Sequence, residues 1–328
     1  MVARVTVAAI ATIATVATVA ATCLFAVPCA AVDLPAWAYP VNPPDFKPMP
    51  DDGSIRRVPG SAAGFTLTQL RDLFRAPDWH PQDHPRMPAI VAEGRKPNVF
   101  ACGFCHRADG PGGPENAGIA GLPYEYIVQQ LADYKSGARA SALPDRAPQK
   151  LMIALSKEIT DAEVKVAARY FSALKPRANI RVIETGTVPE TFVANWFLAD
   201  RKTGVKEAIG QRIVEVPADL EHFESRDAHA TFIAYVPPGS LKRGDVLVSG
   251  KSPDRAPACA SCHGPDLRGL GAVPSIAGRS PSYVIRQLYE LQSGIRHGPA
   301  APPMQAAIEK LSMDEMISIA AYLATRLP

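Results

Sequence analysis

Two distant segments of the chain place apolar side chains at the spacing of a helix that buries one face. These apolar positions are Val164, Ala167, Phe171 and Leu174 in the first segment, and Met316, Ile319, Ala320 and Leu323 in the second. Each segment begins with a hydroxyl residue followed three positions later by glutamate, at Thr160 and Glu163 and at Ser312 and Glu315. This capping-box pattern predicts where both helices start.

The pattern changes between these two segments. Over residues 176–238, the runs IRVIE, ETFVANWF, RIVEV and TFIAYV are rich in β-branched and aromatic residues and are bounded by Gly, Pro and Asp. Such runs are typical of short strands. We predict a small β-rich insert that orients the helical parts on either side or offers a docking face, because its aromatic side chains need burial.

The helical parts are two copies of one unit. The first copy reads CGFCH, IAGLPYEYIVQQL, SGAR and TDAEVKVAARYFSAL, and the second reads CASCH, IAGRSPSYVIRQL, SGIR and SMDEMISIAAYLATRL. An internal repeat indicates two units of the same fold. Each is predicted to be a cysteine-bearing turn, a middle helix, a methionine-bearing loop and a terminal helix. The expected fold is therefore mainly α, with two all-α domains in tandem joined by the β-rich insert.

The N-terminus resembles a secretory leader. Its first thirty residues carry a single charge, at Arg4, and are otherwise apolar or small. This composition predicts a signal peptide and export to the periplasm, although the apolar run over 5–27 is also long enough for an uncleaved membrane anchor. The expected divisions of the chain are 1–30 as the leader, 31–60 as a proline-rich extended arm, 61–175 and 239–328 as the two helical domains, and 176–238 as the insert.

Composition adds little beyond this. The chain has 328 residues, with 35 basic and 32 acidic side chains, so its overall charge does not indicate a nucleic-acid partner. Cysteine usage is more informative. Outside the leader, the cysteines are Cys102, Cys105, Cys259 and Cys262, and all of them belong to the two CxxCH motifs.

A CxxCH motif provides two thiols that add to the vinyl groups of a haem and a histidine that lies under its iron. The alternatives are a zinc site, a redox dithiol and ordinary disulfides. A zinc site favours cysteine pairs closer in sequence than Cys102 and Cys259, and neither other alternative explains a histidine after each pair. We therefore expect two covalently bound haem c groups, with iron ligands His106 and His263.

The sixth iron position requires a second ligand in each copy. Met152 is the sole methionine between His106 and the end of the first copy, and Met304 has the matching place in the second. Met304 follows Pro302 and Pro303, and we predict that this proline-rich segment is not helical. Methionine ligation leaves no open position on iron and raises its potential, which suits electron transfer.

The two copies resemble class I cytochrome c domains, and their tandem arrangement is similar to the di-haem c4-type cytochromes. The resemblance covers roughly 94–175 and 240–328 and rests on the CxxCH motifs, the IAG…Y…QL helix, SGAR and SGIR, and the methionines. It implies that Tyr126, Tyr283, Arg139 and Arg296 lie near the haem propionates. In such domains the carbonyl of a proline accepts from the motif histidine and orients its ring. Pro274 has this place in the second copy, whereas the aligned residue in the first copy is Ala117.

These features indicate an exported electron-transfer protein of the respiratory chain rather than an enzyme. The expected donor is a periplasmic dehydrogenase, and the expected acceptor is an oxidase or another cytochrome. One alternative is a di-haem peroxidase, which would need an open iron position. Another is a cytochrome subunit held permanently in a dehydrogenase complex, and the sequence leaves that alternative open.

Other histidines have no ligand pattern in the sequence. His80 and His84, in WHPQDHP, are either a metal site or exposed loop residues, and we expect exposed loop residues. His222, His229 and His297 have no partners at the sequence spacing of metal ligands.

Overall fold

The structure is a computed structural model that describes Met1 and residues 33–251 and 258–328. The rest of the predicted leader lies outside the described residues. Within those ranges, no helix combines the length and the apolar character that crossing a membrane requires.

The helices are α1 (Leu67–Leu70), α2 (Ala89–Ala92), α3 (Cys102–His106), α4 (Tyr124–Ser136), α5 (Ala147–Glu158), α6 (Asp161–Ser172), α7 (Leu220–Glu224), α8 (Ser240–Ser249), α9 (Cys259–His263), α10 (Pro281–Gln292), α11 (Pro302–Ile308) and α12 (Met313–Ala324). The strands are β1 (Ile180–Glu184), β2 (Thr187–Pro189), β3 (Thr191–Ala194), β4 (Phe197–Asp200), β5 (Lys206–Ala208), β6 (Val214–Pro217) and β7 (Phe232–Val236).

The fold is mainly helical with a small β-rich part, which confirms the predicted class. We call residues 61–175 the first lobe, 239–328 the second lobe and 176–238 the insert. In the first lobe α4 packs on α6, and in the second lobe α10 packs on α12. Both terminal helices start at the predicted capping boxes, where the Thr160 and Ser312 hydroxyls each accept a main-chain N–H from three residues further on, at 3.3 Å.

Each lobe has its own apolar core, built around its terminal helix. The positions whose periodicity predicted α6 and α12, from Val164 to Leu174 and from Met316 to Leu323, are all buried. In the first lobe they pack against Ile127 of α4, and in the second lobe against Ile285 of α10. Full burial of one such large apolar side chain stabilises the fold by about 1.5–3 kcal/mol.

The insert contains one three-stranded sheet and two two-stranded antiparallel sheets. The three-stranded sheet has the order β1-β7-β6, with β1 parallel to β7 and β6 antiparallel to it. The two-stranded sheets pair β3 with β4, which form a hairpin, and β2 with β5, which lie on either side of that hairpin in the chain. A parallel pair needs a long connection between its strands. Since β1 and β7 are the first and last strands of the insert, their pairing closes it into one unit.

The insert packs on both lobes. Ile213 and Val236 are buried in the same apolar core as α10 and α12 of the second lobe. On the other side, Arg226 donates from Nη1 to the main-chain oxygen of Phe104, at 3.2 Å, and its guanidinium lies 3.6 Å from the centroid of the Phe104 ring. Phe104 is part of the CGFCH motif, so the insert contacts the first cysteine motif directly.

The proline-rich segment before the first lobe is anchored on the second lobe. Ala36–Ala38 form a 3-10 turn, and the following Tyr39 is 2% exposed. Its hydroxyl donates to the carboxylate of Glu290 in α10, at 3.1 Å. An aromatic side chain at this point in the arm gains stability by burial, so this part of the chain is a buried contact rather than a free extension.

Candidate functional site

The two cysteine motifs form short helices at equivalent places in the two lobes, α3 and α9. Cys102, Cys105, Cys259 and Cys262 all have free thiols. Residues three apart in a helical turn lie on the same side, so the two thiols of each motif face the same way. Burial raises the pKa of Cys102 to about 12 and that of Cys259 to about 11. Both are therefore neutral thiols at neutral pH.

The histidine of each motif is oriented by one hydrogen bond. His106 Nδ1 lies 2.8 Å from the main-chain oxygen of Ala117, and His263 Nδ1 lies 2.8 Å from that of Pro274. The bond predicted for the second lobe is therefore present, and alanine serves equally in the first because only the carbonyl is needed. With Nδ1–H donating, Nε2 has the lone pair that binds a metal. Burial lowers the pKa of both histidines, which favours this neutral form.

The first motif lines a cavity of the first lobe with an empty volume of about 1260 Å³, part of it open to solvent. Cys102, Cys105, His106 and Met152 all line it. Its walls are largely apolar and include Leu122, Ile127, Leu131, Leu151, Leu155 and Phe171. Two thiols, a neutral imidazole and a thioether within apolar walls are the donor set of a covalently attached haem with histidine and methionine ligands. The residues therefore fit the group.

Both predicted methionine ligands lie in helices. Met152 is in the middle of α5, and Met304 is in the first turn of α11. The prediction that a loop carries the methionine in each copy was therefore wrong, as was the prediction that the Met304 segment is not helical. Proline is tolerated in the first turn of a helix because the N–H that it lacks has no partner there, so Pro302 and Pro303 start α11 instead of preventing it. Met304 is partly buried against the core of the second lobe.

The tyrosines and arginines singled out by resemblance come together between the lobes. Arg139 of the first lobe donates from Nη2 to the hydroxyl of Tyr283 in the second lobe, at 3.0 Å. Arg296 of the second lobe donates from Nη2 to the hydroxyl of Tyr126 in the first lobe, at 2.9 Å. Each lobe therefore provides the arginine of one contact and the tyrosine of the other. Arg139, Tyr126 and Tyr283 also line the cavity of the first lobe.

Two glutamines complete this arrangement. Gln130 Oε1 accepts from Arg139 and from Arg296, at 2.8 Å in both cases. Gln287 Oε1 accepts from the same two arginines, at 2.8 Å and 3.2 Å. We call the two arginines, two tyrosines and two glutamines the interlobe network. Sequence reasoning aligned these glutamines within the repeat but assigned them no role.

The loops that carry the two arginines pair with each other. Arg139 and Arg296 form an antiparallel bridge, and His297 N donates to the main-chain oxygen of Ala138, at 2.8 Å. Both loops turn at a glycine, Gly137 at φ +84° and Gly294 at φ +72°. Only glycine adopts this conformation without steric cost. The SGAR and SGIR motifs are therefore the interlobe turns.

The two cysteine motifs differ in their surroundings. The first is covered by the insert, where Arg226 contacts Phe104 and a second guanidinium, that of Arg107, lies 4.9 Å from the ring of Phe223. In the second motif Cys262 is exposed. Sequence analysis did not identify Arg226 as a site residue, because it lies far along the chain in a segment without a haem motif.

The prediction that His80 and His84 are exposed loop residues was wrong. His80 and His84 are not exposed, since both side chains are 3% exposed. His84 bonds to Asp78 through Nε2, at 3.2 Å, and this hydrogen bond raises the pKa of His84. His229, which has no residue at the sequence spacing of metal ligands, donates from Nε2 to Asp83 at 2.6 Å in the fold. Loop composition predicted solvent exposure, whereas contacts with Asp227 of the insert and with Tyr170 of α6 bury the side chains of His80 and His84.

Comparisons with known proteins agree with this description. Residues 254–323 match the family described as "Cytochrome C oxidase, cbb3-type, subunit III". A "Thiosulfate dehydrogenase electron acceptor" from Thiomonas intermedia (strain K12) is 26% identical over 234 residues, which is 70% of this chain and 80% of that protein. "Cytochrome c4" from Stutzerimonas stutzeri is 24% identical over 239 residues, 71% of this chain and 87% of that protein. "Cytochrome c-554(548)" from Halomonas halodenitrificans (strain ATCC 12084 / NCIMB 8669) is 31% identical over 74 residues, 22% of this chain and 89% of that protein.

Proposed function

This chain belongs to the class I cytochrome c family, as a di-haem electron carrier similar to cytochrome c4, and from that premise we propose that it accepts electrons from a sulfur-compound dehydrogenase in the periplasm. It passes them one at a time to a respiratory oxidase or to another cytochrome. Relatives of this kind are electron-transfer proteins, so the peroxidase alternative is set aside.

We assign two covalent haem c groups to the chain. Cys102 and Cys105 hold the first, and Cys259 and Cys262 hold the second. The axial ligands are His106 with Met152, and His263 with Met304. One observation supports this assignment most strongly: in each lobe a free cysteine pair is followed by a histidine whose Nδ1–H bonds to a main-chain carbonyl.

Haem iron supplies reversible one-electron chemistry when it is bound. The thiols would hold this group in place, and the two histidines, oriented by their hydrogen bonds, and the two methionine thioethers would be the ligands of its iron. The largely apolar walls of the first cavity would limit water around the group.

The interlobe network is the proposed link between the two haems. Arg139 and Arg296 donate across the boundary between lobes, and Tyr126 and Tyr283 accept from them. We assign these four residues to the region of the haem propionates, where the arginine charges would balance the propionate charges. Because Arg139 and Tyr283 line the first cavity from different lobes, they fix one lobe relative to the other next to that haem.

The donor is inferred from a relative whose name describes an electron acceptor of thiosulfate dehydrogenase. The proposed donor is thus a dehydrogenase that oxidises thiosulfate or a related inorganic sulfur anion. This chain contains no candidate site for such a substrate at its irons, because both axial positions are assigned to protein side chains. It would receive electrons from the partner rather than from the sulfur compound.

The proposal is tested by reduction in the presence of a partner. The purified oxidised holo-protein is mixed with a catalytic amount of thiosulfate dehydrogenase and with thiosulfate, and reduction of the haems is followed in the visible spectrum. We expect both haems to become reduced, and none without the dehydrogenase. If thiosulfate reduces the haems equally well without enzyme, or if the dehydrogenase has no effect, the assigned donor is wrong. Co-purification of a stable complex would favour a permanent subunit over a mobile carrier.

A further inference from the structure

Three side chains outside the haem sites converge where the segment before the first motif meets the insert. His80 precedes a 3-10 turn that ends at Asp83, and His229 lies in the loop between α7 and β7. Each offers one ligand atom, and these atoms lie within 4.8 Å of one another. The two imidazole rings are stacked, with centroids 3.6 Å apart and planes 4° from parallel. We call these three residues the His–Asp cluster.

His80 is held in the way that metal-binding histidines are held. It is 3% exposed, and its Nε2 lies 2.9 Å from Oδ1 of Asp227, which is itself 4% exposed. A carboxylate that accepts from one ring nitrogen fixes the tautomer and leaves the other nitrogen as a lone-pair donor. That other nitrogen, Nδ1, is buried and has no hydrogen-bond partner among the described residues. A buried polar atom without a partner is costly, and a bound cation would satisfy it.

The other two members provide access from solvent. The side chain of His229 is 37% exposed and that of Asp83 is 24% exposed, so a hydrated ion can reach the cluster. The main-chain N–H of His229 also donates to Asp227, at 2.9 Å, which positions its ring over His80. His229 and Asp83 are joined by a hydrogen bond of 2.6 Å, whose proton a bound ion would replace. Because an imidazole lone pair lies in the plane of its ring, the ring of His229 would also turn out of its stack on His80.

The local charge is compatible with a cation. Asp83 accepts from Arg177 at 2.7 Å, which places one guanidinium beside the cluster. The negative charges at the same place are the carboxylates of Asp83 and Asp227. Arg177 also donates to a third carboxylate, that of Asp109, at 2.8 Å. Carboxylates therefore outnumber the guanidinium at this place.

We propose that His80, Asp83 and His229 bind one divalent transition-metal cation, with Zn²⁺ as the expected ion. Two imidazole nitrogens and one carboxylate oxygen form a ligand set that suits zinc, with water in the fourth position on the solvent side. The site shares no residue with the proposed haem sites, and its role is structural. It joins the segment before the first motif to the insert, next to the hydrogen bond from Trp79 Nε1 to the main-chain oxygen of Ser225, at 2.7 Å.

The test measures binding of Zn²⁺ alone to the holo-protein, produced without a histidine tag and freed of adventitious metal by a chelator. Zinc per chain is measured by elemental analysis after dialysis, and affinity by calorimetric titration. We expect one zinc per chain in addition to iron, and a higher thermal midpoint when it is bound. His229→Gln and Asp83→Asn, at the solvent side, should each weaken binding by about tenfold or more.

His222→Gln is the matched control, because it removes another histidine of the insert that is outside the cluster. It should bind zinc as the unchanged protein does. His80 itself is left intact, since its burial makes loss of folding the first effect of a substitution. The proposal is overturned if the unchanged protein binds no zinc, or if His229→Gln and Asp83→Asn both bind it as tightly as the control.

Discussion

Arg139 Nη2 lies 3.0 Å from the hydroxyl of Tyr283, a residue 144 positions further along the chain and in the other lobe. In the corresponding pair, Arg296 of the second lobe donates to the hydroxyl of Tyr126 in the first lobe, at 2.9 Å. The repeat in the sequence is therefore also a reciprocal contact in space. Each copy of the repeat needs the other to satisfy its arginine, which makes the two lobes dependent on each other.

This dependence predicts the effect of removing one hydroxyl. Tyr283→Phe should lower the free energy of unfolding by about 1.5–3 kcal/mol, because a hydrogen bond to a charged group is lost. Tyr126→Phe should cost a similar amount. Chemical denaturation measures the loss, and a double-mutant cycle with Arg139→Gln should show coupling between residues 139 and 283. Tyr289→Phe is the control, because its hydroxyl has no hydrogen-bond partner among the described residues; an equal loss there would contradict the assignment.

The proposed covalent attachment predicts haem stoichiometry. Replacement of Cys259 and Cys262 by alanine should leave one haem per chain, because the thiols of the first lobe remain. Mass spectrometry and a haem assay on the denatured protein measure the count. The mirror variant, with Cys102 and Cys105 replaced, should also keep one haem. Retention of two covalent haems in either variant would show that the motifs are not the attachment sites.

The proposed axial ligation predicts a spectral change in one haem. Met304→Ala should abolish the weak sulfur-to-iron band of the second haem, lower its potential and open its iron to carbon monoxide. Met152→Ala should do the same for the first haem. Met316→Ala is the control, since Met316 is 0% exposed in the core, and it should cost about 2–5 kcal/mol of stability without loss of the band. Loss of the band in Met316→Ala but not in Met304→Ala would contradict the ligand assignment.

The insert covers the first cysteine motif, and this predicts that the two proposed haems differ in reduction potential. Arg226 places a positive charge against Phe104 of the motif. Such a charge disfavours the ferric state, which has one more positive charge than the ferrous state. Arg226→Gln should therefore lower the potential of the first haem alone, as measured by spectroscopic redox titration. Arg268→Gln, at an exposed arginine of the second lobe, is the control. A shift of the second haem instead would argue against this electrostatic effect.

The capping box of α6 predicts a pH dependence of stability. The hydrogen bond from Arg95, together with the Thr160 cap, lowers the pKa of Glu163 from its ordinary value of 4.5 to about 2. A carboxylate whose pKa is lower in the folded state stabilises the fold above its unfolded pKa, and this contribution is lost as the pH falls from 4.5 to about 2. Glu163→Gln should therefore lose less stability on acidification, as followed by denaturation at several pH values. The exposed Glu309→Gln should behave as the unchanged protein does, and equal slopes for all three would contradict the prediction.

Much of the site could be predicted from the sequence because its chemistry is local. A cysteine pair followed by histidine predicts haem attachment within five residues, and the capping boxes at Thr160 and Ser312 define the starts of α6 and α12 through contacts three residues apart. Helical periodicity identified the buried face of both terminal helices, because a helix repeats its environment every few residues. The identity of the repeats followed from direct comparison of the two copies.

Tertiary structure alone decided which distant groups meet. His80 is buried because it packs beside Asp227, 147 positions away, and Arg139 reaches the other lobe rather than its own surface. Local propensity acts between residues a few positions apart, whereas these contacts depend on how the insert and the two lobes pack. The sequence by itself determined the two haem motifs and the helices that carry them, and packing determined the interlobe network and the His–Asp cluster.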